Sequence, residues 1–151
     1  MPITKNILKS ISSLIAGEKN LVANLANISS RLFSEGAWHW VGFYVHDKDA
    51  DELVLGPFQG PVACTRLRRG MGVCAEAWEK GKTVLVTDVH SFDGHIACSS
   101  ASNSEVVVPI IVSGSVVGVL DIDSIEFDGF TPSEIDLLEA VVSIIEEIWE
   151  S

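Results

Sequence analysis

Three cysteines, Cys64, Cys74 and Cys98, fall in the middle third of the chain, and no two of them have Cys-x-x-Cys spacing. An odd number of thiols cannot close entirely into bridges, so at least one is free. Cys98 is the leading candidate for a nucleophile. Gly94 precedes it, and the small residues Ala97, Ser99 and Ser100 surround it, which leaves room for a ligand. A reactive thiol needs a nearby cation, helix N-terminus or donor to hold it as thiolate, and His95 is one option. The alternative is a buried small hydrophobe. Cys64 lies near Arg66, Arg68 and Arg69 in sequence. If its loop meets that of Cys98, Cys64 can attack an oxidised Cys98 and close a disulfide; otherwise it is an inert loop thiol. Cys74, beside Val73 and Ala77, reads as a packing residue with a reserve role as a resolving thiol.

Glu105, Asp121 and Asp123 form a second constellation. Asp121 and Asp123 flank Ile122 on an expected strand, so they share a face at a separation of ~6–7 Å. If partly buried, mutual repulsion and desolvation raise the pKa of one of them, which suits a general acid, while the other suits an ammonium ligand. If exposed, they form a solvated sheet face. Trp40 and Tyr44 share a side of their strand with Gly42 between them. That spacing allows a gap with two aromatic walls for a small apolar or thioether group; ordinary core aromatics are the alternative. His90, His95, Cys64 and Cys98 have no structural-zinc spacing, and no metal site or cofactor is expected. Neither a Gly-rich phosphate loop nor a Gly-x-Ser-x-Gly motif is present.

The elements that must position these residues follow from periodicity. Leu21, Leu25, Ile28 and Leu32 make one helical stripe, with a shorter helix ending near Gly17 before it. Residues 37–46 read as a strand, 52–55 as a second strand closed by Gly56-Pro57, and 58–69 as irregular chain carrying Cys64. A short helix is expected over 70–81 and a brief strand over 83–86. A long loop over 87–103 carries Cys98, and a hairpin spans 104–112 and 115–123. Thr131-Pro132-Ser133-Glu134 starts a final helix with apolar Ile135, Leu138, Val142, Ile145 and Trp149. The fold class is α+β, with helices at both ends around a mostly antiparallel sheet.

At 151 residues and 47% hydrophobic content the chain reads as one domain, 1–151, with a sizeable core. The apolar runs at 106–112 and 116–120 are too short to span a bilayer. No signal-peptide pattern opens the chain, so a cytoplasmic location is expected. The net charge of −11 repels phosphate backbones and anionic membranes, so neither nucleic acid nor membrane is an expected partner. Apolar terminal helices are compatible with a homodimer.

Six ordered segments carry a resemblance: Trp40-Val-Gly-Phe-Tyr44, Gly56-Pro-Phe-Gln-Gly60-Pro-Val-Ala-Cys64, Gly72-Val-Cys74, Asp93-Gly-His-Ile-Ala-Cys98, Ser104-Glu105-Val-Val-Val-Pro109-Ile and Gly118-Val-Leu-Asp121-Ile-Asp123-Ser. Together they resemble the free methionine-(R)-sulfoxide reductases, which are stand-alone GAF domains. The resemblance implies a central antiparallel sheet with the terminal helices on one face and the ligand pocket on the other. It implies Cys98 as the attacking cysteine, Cys64 as the main resolving one and Cys74 as an alternative. Glu105, Asp121 and Asp123 would bind the substrate and assist proton transfer, Trp40 and Tyr44 would line the pocket, and thioredoxin would return the electrons. Ser99 and Ala75 depart from the family pattern, where Asp and Gly are expected. Two other functions remain open for such a fold: a GAF small-molecule sensor, and a thiol redox sensor without turnover.

Overall fold

In the computed structural model, residues 3–35, 37–94 and 102–149 are described. Alternation with period two organises the sheet. Along β1 (Trp40–Asp47), Val41 and Phe43 point to one face, and Trp40 and Tyr44 to the other. The six strands run in the order β3-β2-β1-β6-β5-β4, and every pairing is antiparallel. The others are β2 (Glu52–Gln59), β3 (Arg66–Leu67), β4 (Val84–Val86), β5 (Ser104–Val112) and β6 (Ser115–Ser124).

One face of the sheet carries Val41, Phe43, Val106, Val108, Ile110, Leu120 and Ile122, all buried. Three helices cover it: α1 (Ile3–Ile15), α2 (Leu21–Phe33) and α4 (Pro132–Ile148). Each presents an apolar stripe, Ile7/Ile11/Ile15, Leu25/Ile28/Leu32 and Leu138/Val142/Ile145. The start of α4 follows the expected chemistry. The Thr131 side chain accepts from the Glu134 amide at 3.1 Å, and the Glu134 carboxylate accepts from the Thr131 amide at 2.8 Å, with Pro132 in the first turn. Leu137 and Val141 are also buried, so the apolar face of α4 is wider than the expected stripe.

The opposite face carries a second core, built from Trp40, Tyr44, Val107 and Val119 on the sheet and from Val73, Ala75, Ala77 and Trp78 on α3 (Gly72–Lys80). Ala75 is fully buried in ordinary helical backbone. Gly81, at φ 64°, ends α3 in the left-handed conformation that only glycine adopts freely. The terminal helices α1, α2 and α4 therefore flank one face, and the pocket and α3 lie on the other. Among the described residues, no helix is long and apolar enough to cross a membrane.

Three expectations need correction. β2 does not stop at Gly56-Pro57 but runs on to Gln59, because a register shift between Gly42 and Tyr44 absorbs an extra residue as a bulge. Proline is tolerated at such a bulge, and the Pro57 carbonyl accepts from Ser29 of α2 at 3.3 Å. The irregular stretch 58–69 contains β3, which pairs with β2 through Leu53–Leu67 and Val54–Arg66. Within the described part of the loop 87–103, a 3-10 turn forms at Val89–Ser91, capped by the Asp88 side chain.

Candidate active site

The strand register builds the site row by row. Trp40 on β1, Asp123 on β6 and Glu105 on β5 stand side by side, and the next row holds Gly42, Asp121 and Val107. All of these side chains point away from the helical face. Of these, Trp40, Glu105, Asp121 and Asp123 line one cavity together with Tyr44, Val62, Ala63, Leu67, Met71, Gly72, Val73, Cys74 and Ser102. The acids are not a solvated sheet face: Glu105 is 7% exposed and Asp121 6%.

The three carboxyls crowd one pocket, and each affects the proton affinity of its neighbours. Burial first, and then the Asp121 and Asp123 carboxylates, push Glu105 well above the usual carboxylate range. Burial and the neighbouring Asp121 do the same to Asp123, and burial raises Asp121 although the nearby Glu105 and Cys74 act the other way. One Asp121 oxygen, Oδ1, is buried without a hydrogen-bond partner. The cluster can therefore both donate a proton and accept an ammonium group.

Cys74, one turn into α3, is 4% exposed and its thiol is free. Burial first, and then Asp121 and Glu105, push the Cys74 thiol well above its ordinary value, and its sulfur lies within 4.8 Å of carboxylate oxygens of both acids. Cys74 therefore faces the acid cluster rather than merely packing, but as a protonated thiol. Cys64, in the segment before β3, is disulfide-bonded. Cys98 and His95 lie outside the described residues, as does Ser99.

The two aromatic residues do not bracket a gap over Gly42. The Trp40 ring itself lies over Gly42, and a β-carbon there would collide with Trp40 and with Phe58. Trp40 stacks on Phe58 at 5.2 Å and on Tyr44 at 6.1 Å. The result is a single aromatic wall. Phe58 was missed because it pairs with Gly42 only across the bulge, beyond the expected end of β2. Both polar tips of this wall hold the Cys64 segment in place. Trp40 Nε1 donates to the Pro61 carbonyl at 3.0 Å, and the Tyr44 hydroxyl donates to the Cys64 carbonyl at 2.8 Å. Burial, with Asp121 next, keeps the Tyr44 phenol protonated and so fit for that role.

Two arginines expected to influence Cys64 are committed elsewhere. Arg66 pairs with Asp47 and Glu52, while Arg69 makes a two-pronged contact with Asp51 and stacks on Trp78 at 4.0 Å. His90 Nε2 lies 3.0 Å from Asn103 Oδ1, where it ties the 3-10 turn to the start of β5. Among the described residues, the donors that do converge are Cys74, Glu105 and Asp121, whose atoms lie within 4.8 Å of one another.

An antiparallel six-stranded sheet with the terminal helices on one face and a pocket on the other defines the GAF class, and residues 17–150 match the GAF domain family. Within it, the free methionine-R-sulfoxide reductase of Escherichia coli (strain K12) is 44% identical over 141 residues, covering 93% of this chain and 84% of that protein. The reductase of the same name from Saccharomyces cerevisiae is 39% identical, covering 95% and 83%. A crystal structure of free methionine-R-sulfoxide reductase from Neisseria meningitidis, in complex with its substrate, superposes with a TM-score of 0.94 at 47% identity, covering 97% of this chain and 87% of that one. The chain belongs to the free methionine-(R)-sulfoxide reductase family.

Proposed function

We infer that this chain reduces free L-methionine (R)-S-oxide to methionine. The observation that carries the reading is the cluster of buried Glu105 and Asp121 with half-buried Asp123, in one pocket with an aromatic wall whose hydrogen bonds hold the Cys64 segment. A free amino acid brings an ammonium group that a buried carboxylate complements, and a peptide-bound residue lacks that charge. The Trp40 and Tyr44 rings suit the methyl and methylene groups of the side chain.

A sulfoxide sulfur becomes electrophilic when its oxygen is protonated, and a carboxyl that burial keeps protonated supplies that proton. Glu105 and Asp123 are assigned this role, and Asp121 the ammonium. Cys98 attacks the sulfoxide sulfur as thiolate. The S–O bond breaks, the sulfoxide sulfur gains two electrons and leaves as methionine, and the oxygen ends on Cys98 as a sulfenic acid. Cys64 then attacks the Cys98 sulfur, water leaves, and a disulfide forms. A dithiol reductant of the thioredoxin type returns two electrons and two protons. The disulfide-bonded state of Cys64 supports its role as the main resolving thiol. Cys74, buried and protonated against Asp121, is a poorer attacking thiol and is the alternative only.

The test is turnover of separately prepared (R) and (S) diastereomers, free and N-acetylated, with thioredoxin and its reductase. Methionine release from the free (R) form alone is expected. No release from either free diastereomer would overturn the reading.

A further inference from the structure

We propose that Cys74, Glu105 and Asp121 also form a binding site for a borderline-soft divalent cation of the zinc type. Three observations carry it. One donor atom from each residue lies within 4.8 Å of the other two, and all three residues are buried. Asp121 Oδ1 is buried and unpartnered, although more than about nine in ten buried polar groups are satisfied. The donor set, one sulfur and two carboxylates, is one that zinc accepts in full, whereas magnesium and calcium take oxygen alone.

The framework favours such a use. Asp121 and Glu105 are fixed in adjacent rows of paired strands, and Cys74 comes from the first turn of a packed helix. Zinc–oxygen bonds of ~2.0–2.2 Å and a zinc–sulfur bond of ~2.3 Å place tetrahedral donors roughly 3.3–3.8 Å apart. Donor atoms within 4.8 Å of one another therefore close by no more than ~1.5 Å, within reach of side-chain rotation. Asp123, directly across from Glu105 on β6 and lining the same cavity, is in the register to orient that ligand. Three protein ligands leave a fourth position, which faces the cavity beneath Trp40 and Tyr44 and takes water. Binding releases the Cys74 thiol proton and any proton shared by the two carboxyls. The ion occupies the place of a ligand ammonium, so zinc competes with the amino-acid substrate. The proposal uses the pocket assigned above but does not depend on its turnover.

The experiment uses the full chain, metal-stripped, with the Cys64 disulfide intact, so that Cys74 is the free thiol under study. Cobalt(II) chloride is titrated first and zinc chloride second. Expected are a sulfur-to-cobalt charge-transfer band in the near ultraviolet, its displacement by one equivalent of zinc, and its loss in Cys74→Ser. Asp121→Asn is expected to weaken zinc binding at least about tenfold, the order seen for perturbed metal sites. Circular dichroism checks that both variants fold; if Cys74→Ser does not, wild type against Asp121→Asn decides. Absence of the band, or the same band in Cys74→Ser, overturns the site. Sulfoxide turnover without the band removes only this inference, and the band without turnover removes only the reductase reading.

Discussion

Glu105 on β5 stands directly opposite Asp123 on β6, and both carboxyls face the same cavity. Like charges in directly opposed positions of an antiparallel pair are destabilising. Here the repulsion is compounded by burial and by Asp121 in the next row. This unfavourable packing places proton donors and an ammonium acceptor within one pocket.

Stability is therefore expected to fall with rising pH, measured by thermal melts in chelator-treated buffer. The folded carboxyls hold protons more tightly than the unfolded ones, because burial raises their pKa. As pH rises past the usual carboxylate range, the unfolded chain loses its protons first, and stability is lost until the folded groups have ionised too. Glu105→Gln removes one charge at nearly constant shape. It is expected to raise the melting temperature at pH 8, at ~2–4 °C per kcal/mol gained, while lowering turnover about a hundredfold or more. A lower melting temperature for this variant at pH 8 would refute the strained-cluster account.

Cys64→Ser is expected to separate the two halves of the cycle. One equivalent of methionine should still be released in a single turnover, with a sulfenic acid then trapped by dimedone. Cys98→Ser should release none. Full thioredoxin-supported cycling by Cys64→Ser would move the resolving role to Cys74.

Tyr44→Phe removes the hydroxyl that donates to the Cys64 carbonyl but keeps the ring of the aromatic wall. A lost hydrogen bond of this kind costs ~1–3 kcal/mol. The expected effect is about a tenfold slower disulfide closure, with the first methionine released at nearly the wild-type rate. Rapid-mixing experiments followed by thiol alkylation resolve the two steps. An equal slowing of both steps would count against a separate role in holding Cys64.

Gly42→Ala places a β-carbon where the Trp40 ring and Phe58 already meet. Overpacking of this kind costs ~1–3 kcal/mol. The substitution is expected to lower the melting point and raise KM, because it displaces Trp40 from the wall. Denaturant titration alongside steady-state kinetics measures both effects. An unchanged KM would show that Trp40 does not position the substrate.

The features read correctly from sequence are those with local causes. The alternation on β1, the capping box at Thr131 and the apolar stripes of α2 and α4 each depend on residues a few positions apart. The shared face of Asp121 and Asp123 follows from strand geometry alone, as does that of Trp40 and Tyr44. What these residues meet across the sheet does not follow. A bulge brought Phe58 against the back of Trp40, and acidic residues of the β1–β2 hairpin pair with Arg66 and Arg69.

By itself, then, the sequence determined the element types, the faces on which the chemical groups lie, and the family. Only the tertiary structure decided that Glu105 and Asp121 are buried, that Cys74 lies against them, and that Trp40 covers Gly42. Periodicity is a property of one segment, whereas burial and proton affinity depend on neighbours supplied by distant segments of the chain.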